Sequence, residues 1–178
     1  ALAVLGAAVS CSGESDPSGP GVVVGTVALP VAQAAYHGAG LHRFPGAGVT
    51  LDCGSHGGFT GAVEPPATVG ATVVSSYTAT FIGELVFEPP AVPSRSVHSL
   101  NVPATMAERI TLSEIRGATR IFDTELVTFQ MEGTGTLAGV IVRESPAFPS
   151  EGVTSITVES SGRSRVESDY DVWLEVSL

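Results

Sequence analysis

Carboxylates recur at alternate positions near the end of the sequence, at Glu167, Asp169 and Asp171, and again at Glu175. Side chains of a strand alternate between two faces, so this spacing predicts one acidic face. Carboxylates two residues apart can share a Ca²⁺ ion, which takes about six to eight oxygen ligands. They equally suit a solvated face beside Arg163 and Arg165, and no loop-type run of Asp, Asn and Gly ligands is present. We expect no cofactor, with Ca²⁺ as the alternative.

Trp173 stands on the polar parity of the same segment. An exposed tryptophan can stack on a sugar ring or anchor an interface. It can also pack beneath a loop or a second layer. We therefore take Trp173, Asp169 and Asp171 as candidate residues for ligand binding or for an interface.

Cys11 and Cys53 are the two cysteines of the chain. In the first interpretation they form a disulfide, which requires an oxidising compartment. In the second, Cys11 is a lipid-anchor cysteine, because a small apolar run precedes it and a polar tether follows. The third is two free thiols. We predict the disulfide, and the first two interpretations place the protein outside the cytoplasm.

Histidines close to Cys53 raise the question of zinc. Cys53 and His56, with His37 or His42, are ligand types that Zn²⁺ accepts, but their spacing matches no established motif. The sequence also lacks the Gly-x-Ser-x-Gly turn of a hydrolase nucleophile. We expect no metal site, no catalytic residues and no enzymatic activity.

The elements that position these residues are predicted by period-two alternation. It extends through residues 71–88, 119–131 and 163–178. In the second segment the alternation predicts one buried face formed by Ile121, Val127, Phe129 and Met131. Frequent Gly and Pro separate short strands, which favours an all-β antiparallel β-sandwich, immunoglobulin-like or jelly-roll-like.

Residues 105–116 fit two structures. Met106 and Ile110 have helical spacing, whereas the alternation from Arg109 favours a strand that begins at Glu108. We predict the strand.

Composition narrows the partners. The net charge is −10 and all eight basic residues are arginine. Such a surface repels phosphate backbones and anionic membranes, so we expect no nucleic-acid partner. Residues 1–10 are apolar but shorter than the roughly 20 residues that a membrane span requires.

The N-terminal region differs from the rest. Residues 1–20 combine an apolar stub with a Gly/Ser/Pro linker and are interpreted as an extended arm or a signal remnant, followed by one β-sandwich domain over residues 21–178. An apolar stub exposed on a monomer promotes association. We therefore predict an assembly arm that includes Val22, Val23, Val24, Val27 and Leu29.

The C-terminal third resembles a group of uncharacterised secreted bacterial β-rich proteins. The resemblance covers residues 123–178 and rests on Asp123–Val127, Gly133–Gly135, Val142–Pro146 and Asp169–Leu178. It implies export and a β-rich fold, and it implies no activity.

These observations predict a non-enzymatic extracellular or cell-surface structural protein, a self-assembling surface or filament subunit linked to other copies through its arm. The alternative is a secreted or lipid-anchored module that binds carbohydrate or Ca²⁺.

Overall fold

The computed structural model describes residues 41–52, 54–89, 91–162 and 164–178, together with Leu29 and the backbone of Val4–Leu5, Val9–Ser15 and Ala35–His37. These residues form thirteen β-strands and one 3₁₀ turn, Gly135–Leu137, and contain no α-helix. The strands are β1 (Val4–Leu5), β2 (Val9–Ser15), β3 (Ala35–His37), β4 (Leu41–Phe44), β5 (Val49–Asp52), β6 (Ser55–Thr60), β7 (Thr72–Phe87), β8 (Ser96–Arg116), β9 (Thr119–Glu132), β10 (Ile141–Glu144), β11 (Ser150–Val158), β12 (Ser164–Val172) and β13 (Leu174–Ser177).

All pairings between the described strands are antiparallel and join them into one sheet. Its longest path runs β1-β13-β10-β9-β8-β7-β5-β4. From the first half of β9 the sheet continues through β11 and β12 to β2, and from β7 it continues through β6 to β3. The sheet curls into an open half-cylinder with an inner core face and an outer face. The predicted all-β antiparallel fold is confirmed, with one curled sheet in place of the two separate sheets of a sandwich.

The long strands β7, β8 and β9 form the centre of the sheet. Their buried residues alternate along β7 and β8, as a sheet with one wet face requires. The ambiguous residues 105–116 lie wholly within β8, which continues without interruption through Pro103. The prediction of a strand is confirmed, and the strand begins twelve residues before Glu108, at Ser96.

The core face carries two groups of buried apolar side chains. The large apolar cluster includes Phe44, Phe81, Met106, Phe129 and Val176, among others from β4–β10 and β13. The small apolar cluster consists of Leu29, Ile110, Leu112, Phe122, Ile156 and Val166. The two ends of β8 and β9 therefore contribute to different clusters.

A β-bulge in β9 changes which residues face the core. Ala107 is in register with Thr128 but Glu108 with Leu126, so Val127 is the extra residue. The bulge reverses the parity of the strand before it. Phe129 and Met131 are buried as predicted, whereas Phe122 and not Ile121 faces the core. The predicted single face through Ile121 and Val127 is wrong for this reason.

Candidate functional site

The two N-terminal strands lie beside the last two strands of the chain. β1 pairs with β13 through Val4↔Val176 and Leu5↔Glu175. β2 pairs with β12 over seven residue pairs, from Val9↔Val172 to Ser15↔Val166. Within the described residues β1 and β2 each have one hydrogen-bonded partner strand. The segment interpreted as an arm thus contains two strands of its own sheet.

The predicted assembly-arm residues Val22, Val23, Val24 and Val27 lie outside the described residues. Leu29 is described, and it is only 3% exposed within the small apolar cluster. Its amide donates to the carbonyl of Val63 at 3.1 Å, and its carbonyl accepts from Ser75 Oγ at 3.2 Å. Leu29 therefore packs in the core of its own chain, contrary to its assignment to an arm that reaches a neighbour.

The predicted disulfide cannot be followed to its second cysteine, because Cys53 lies outside the described residues. The backbone of Cys11 lies in β2, in register with Tyr170. β2 runs beside β3, and His37 of β3 pairs with Ser55, just after Cys53. This arrangement brings the strands near both cysteines together, and the disulfide stays a prediction.

Carboxylates of β9, β11 and β12 are aligned across the outer face. Glu151 is in register with Glu125 on one side and with Asp171 on the other. Val153 lies likewise between Asp123 and Asp169. A groove of about 470 Å³ lies over β8 and over the β9 and β11 parts of these rows. We call it the acidic groove; it is lined by Arg109, Thr111, Asp123, Thr124, Glu125, Glu151, Gly152 and Val153.

Two arginines partly compensate this charge. Arg109 pairs with Glu125, and Arg165 Nη1 lies 2.7 Å from Glu167 Oε1. Asp169 and Asp171 are exposed on the outer face as predicted. The part of the chain that the structure describes contains no group of three His, Cys, Asp or Glu side chains that could hold a metal ion. Three carboxylates and one arginine line the groove.

Trp173 lies between β12 and β13, where its ring stacks on Phe148 with a centroid distance of 4.9 Å and an angle of 27°. Its amide donates to Ser150 Oγ at 2.9 Å, and its carbonyl accepts from the amide of Ser145 at 2.9 Å. These bonds hold residues 145–150 over the ring. Trp173 thus packs under a loop, and Phe148, which is 40% exposed, is the aromatic side chain that the loop offers to solvent.

Glu175 does not share the exposed position of Asp169 and Asp171, although it has the same parity. It is 6% exposed. Arg143 Nη2 donates to it at 3.1 Å, and Ser145 Oγ lies 3.4 Å from its other oxygen. The prediction that Glu175 faces solvent is wrong, because the neighbouring strand and the 145–150 loop cover it.

A second buried carboxyl lies on the core face at Glu108, which is 5% exposed. The hydroxyl of Tyr77 donates to its Oε2 at 3.4 Å, and the hydroxyl of Tyr170 donates to its Oε1. Burial raises the pKa of Glu108 to about 7, and the hydrogen bond from Tyr77 opposes that rise. Two tyrosine hydroxyls, one from β7 and one from β12, thus meet at the carboxyl of Glu108 in β8.

The ring of Tyr170 can reach Glu108 because the β11 residue beside it, Gly152, has no side chain. A Cβ on Gly152 would lie 2.6 Å from the Tyr170 ring and 2.4 Å from the carbonyl of Asp169. Gly152 is in register with Tyr170 on one side and Thr124 on the other. Any larger residue at position 152 would displace the tyrosine from this position.

Polar side chains of four strands lie at the boundary between the two apolar clusters, on two neighbouring levels of the sheet: Ser75 with Glu108, and Thr124 with Tyr170 at the level of Ile110. Along β8, Glu108 separates Met106 of the large cluster from Ile110 of the small one. We call this the polar layer; it consists of Ser75, Glu108, Thr124 and Tyr170. Ser75 and Glu108 are in register, and Thr124 Oγ1 is buried with no hydrogen-bond partner among the described residues.

His56 of β6 is the other strongly perturbed group. Its ring lies 4.8 Å from that of Phe81, and its Nδ1 is buried with no hydrogen-bond partner in the described part of the chain. Burial, with a smaller contribution from the charge of His42, lowers the pKa of His56 to about 4. His56 is therefore neutral near neutral pH.

Comparison of the chain with protein-family models, with curated proteins and with solved structures found no match. The resemblance of residues 123–178 to secreted bacterial proteins therefore stays a prediction. In the described residues, no helix has the length and apolar character that crossing a membrane requires.

Sequence reasoning missed the polar layer, although the signal was present. Met106, Glu108, Ile110 and Leu112 share one parity, and an acid in such a series is either an error in the assignment or a buried carboxyl. Tyr170 likewise stands on the apolar parity of the last strand. The partnership of these two residues is not visible in the sequence, because 62 positions separate them.

Proposed function

We propose that the protein is a non-enzymatic extracellular structural subunit that assembles with other copies of itself through its N-terminal strands. The observation that carries this proposal is the seven-pair ladder between β2 and β12. It supports the proposal because β2 belongs to the N-terminal segment and is separated in the sequence from β3 by residues 16–34. A strand that pairs through backbone hydrogen bonds can be supplied by any copy of the chain.

Exchange of such a strand leads directly to assembly. When β2 of one copy pairs with β12 of the next, the contact is the intramolecular ladder repeated between molecules, as in domain swapping. If each copy donates in one direction and accepts in the other, the contacts do not close and a linear polymer results. The same exchange between two copies gives a closed dimer.

The surface of the sheet suits an extracellular subunit. Hydroxyl groups on neighbouring strands bond to each other across the sheet, as in Thr72–Thr111 at 2.8 Å and Thr119–Thr157 at 2.9 Å. Such pairs contribute to strand pairing without adding charge. The net charge of −10 keeps a protein of this kind soluble until specific contacts form.

The test is removal of residues 1–20 from the full chain, followed by sedimentation and far-ultraviolet circular dichroism. Assembly should be lost while the spectrum stays β-rich. A synthetic peptide of residues 1–20 added back to the truncated protein should bind it, whereas a scrambled peptide of the same composition should not. Unchanged oligomers after truncation would exclude the N-terminal strands as the connector.

A ligand-binding module, secreted or lipid-anchored through Cys11, is the second candidate. The acidic groove and the exposed ring of Phe148 favour it, because aromatic rings stack on sugars and carboxylates accept sugar hydroxyls or attract cations. Titration calorimetry with calcium chloride and with neutral oligosaccharides tests it. Binding that is lost in Phe148→Ala would support a sugar site, and binding lost in Glu151→Gln would support the groove.

A further inference from the structure

We propose that Glu108 is a protonation-controlled latch that fastens β12, the strand that carries β2, to the centre of the sheet. The latch is the hydrogen bond from the hydroxyl of Tyr170 to the carboxyl of Glu108, which connects β12 to β8 across the core face. β12 is also held by its ladders with β11 and β2, by the hydrogen bond of 2.9 Å between Ser168 Oγ and Thr154 Oγ1, and by apolar contacts of Val166 with the small cluster and of Val172 with the large cluster. The part of this inference that concerns assembly rests on the proposed function.

The geometry makes the bond between Tyr170 and Glu108 a long-range one. In the sheet, β9 and β11 lie between β8 and β12. The side chain of Tyr170 therefore crosses the core face over these two strands to reach the carboxyl of Glu108. Gly152 provides the room for the ring. The contact between Tyr170 and Glu108 thus adds a direct hydrogen bond from β12 to the centre of the sheet, at the boundary between the two apolar clusters.

The described side chains that face Glu108 on the core face carry no charge, so the protonation of Glu108 itself controls the contact with Tyr170. From β7 it is faced by Ser75 and Tyr77, and from β12 by Tyr170. From β9 it is in register with Leu126, a neutral residue. The adjacent charged pair of Arg109 and Glu125 belongs to the outer face. The backbone of Cys11 is in register with Tyr170, and Asp169 and Asp171 of β12 are exposed on the outer face.

The direction of the switch follows from the cost of burying a charge. The neutral carboxyl is tolerated between the apolar clusters, whereas the carboxylate favours a state in which water reaches it. Because burial raises the pKa of Glu108 to about 7, this change falls near neutral pH. The latch is closed in acid and loosens as the pH rises, which frees β2 and β12 to exchange between copies.

Hydrogen exchange of residues 164–172 in the full chain, corrected for the intrinsic pH dependence of amide exchange, tests the latch between pH 5 and 8. The opening equilibrium of β12 should rise at least about tenfold over this range, because the open state ionises at the ordinary carboxyl pKa. In Glu108→Gln, which keeps the shape and cannot ionise, the rise should disappear. An equal rise in the variant would overturn the proposal.

Tyr170→Phe is the second variant and keeps the ring over Gly152. Loss of a donor to the carboxylate should move the midpoint of the opening to higher pH. An unmoved midpoint would show that Tyr170 does not fasten the strand, whether or not Glu108→Gln folds.

Sedimentation at pH 5 and 8 separates this inference from the proposed function. Assembly that requires residues 1–20 and is faster at pH 8 in the native chain, but not in Glu108→Gln, supports both. Assembly that requires residues 1–20 with the same pH dependence in both chains overturns the latch alone. Opening of β12 that follows Glu108 while truncation leaves assembly unchanged overturns the proposed function alone.

Discussion

The polar layer divides the core face into two regions that are stabilised differently. The large apolar cluster draws on β4 to β10 and β13 and contains four phenylalanines that are at most 6% exposed, namely Phe44, Phe59, Phe81 and Phe129. The small apolar cluster has six buried members, and one of them, Leu29, comes from the N-terminal region. Because the small cluster has fewer buried members, we expect the strands around it, above all β12, to open first. The N-terminal strand β2 is attached to that weaker region.

Truncation of one buried phenylalanine in each region gives the largest expected effect. Phe81→Ala and Phe122→Ala should each lower the free energy of unfolding by about 3–5 kcal/mol, from lost burial and the cavity that remains. Chemical denaturation measures both, and Ile115→Ala, at a site 50% exposed, is the control with a small effect.

The strands that lose hydrogen-exchange protection in each variant show whether the two regions unfold separately. Hydrogen exchange of Phe122→Ala should show lost protection mainly in β11 and β12, whereas Phe81→Ala should affect the whole sheet. If both variants lose protection uniformly, the two regions unfold as one unit and the distinction between them is not energetic.

The predicted disulfide would join the two regions, because Cys11 lies in β2 and Cys53 follows β5. A bridge that closes a loop of about 40 residues should contribute roughly 3–4 kcal/mol. Intact mass before and after alkylation, with and without reductant, decides whether it exists. Two alkylated thiols without reductant, or a lipid on Cys11, would contradict it.

The two buried titratable groups should give the regions opposite pH dependences. The pKa of Glu108 is raised from 4.5 to about 7, so its contribution is complete below about 4.5 and is lost as the pH rises through 7. The pKa of His56 is lowered from 6.5 to about 4, so its contribution is complete above about 6.5 and is lost as the pH falls through 4. Each group changes the free energy of unfolding by about 3 kcal/mol over its own pH range. Between pH 4.5 and 6.5 the two changes have opposite signs and nearly cancel.

Single substitutions should separate these two contributions. In Glu108→Gln the free energy of unfolding should rise from pH 4 to 6.5, and in His56→Gln it should fall from pH 4.5 to 7. Urea denaturation at half-unit intervals of pH measures both slopes. Two variants with the slope of the native chain would show that neither group is buried as the structure has it.

The sequence predicted the all-β fold because alternation is a local property. It did not predict the face of β9, since a single extra residue at Val127 reverses the parity and leaves no mark in the pattern. It placed Glu175 with the exposed acids because the cover over that residue comes from Arg143 and Ser145, more than 25 positions away. Sequence reasoning thus predicted which segments form strands, and it failed where contacts between distant strands determine which side chains are buried.

The two faces of β12 provide a smaller test of its attachment. Val172→Asp should cost about 1–3 kcal/mol, because Val172 is half-buried against the large cluster and the carboxylate would lose part of its water. Asp171→Val should be close to neutral, since Asp171 is exposed and in register with Glu151. Thermal unfolding measures both, and equal changes would mean that the faces are assigned wrongly.

The smallest expected effect concerns the charges that cross the outer face of the weaker region. Glu151 lies between Glu125 and Asp171, and like charges directly opposite each other destabilise a strand pair. Glu151→Arg should therefore stabilise the protein by roughly 0.5 kcal/mol, and Glu151→Gln by about half as much. Salt provides the independent check, because screening weakens repulsion between exposed charges. The native chain should gain stability between low and physiological ionic strength and Glu151→Arg should lose it. A native chain that loses stability with added salt would mean that Arg109 already neutralises the acidic groove, and β12 would then owe its weakness to the polar layer alone.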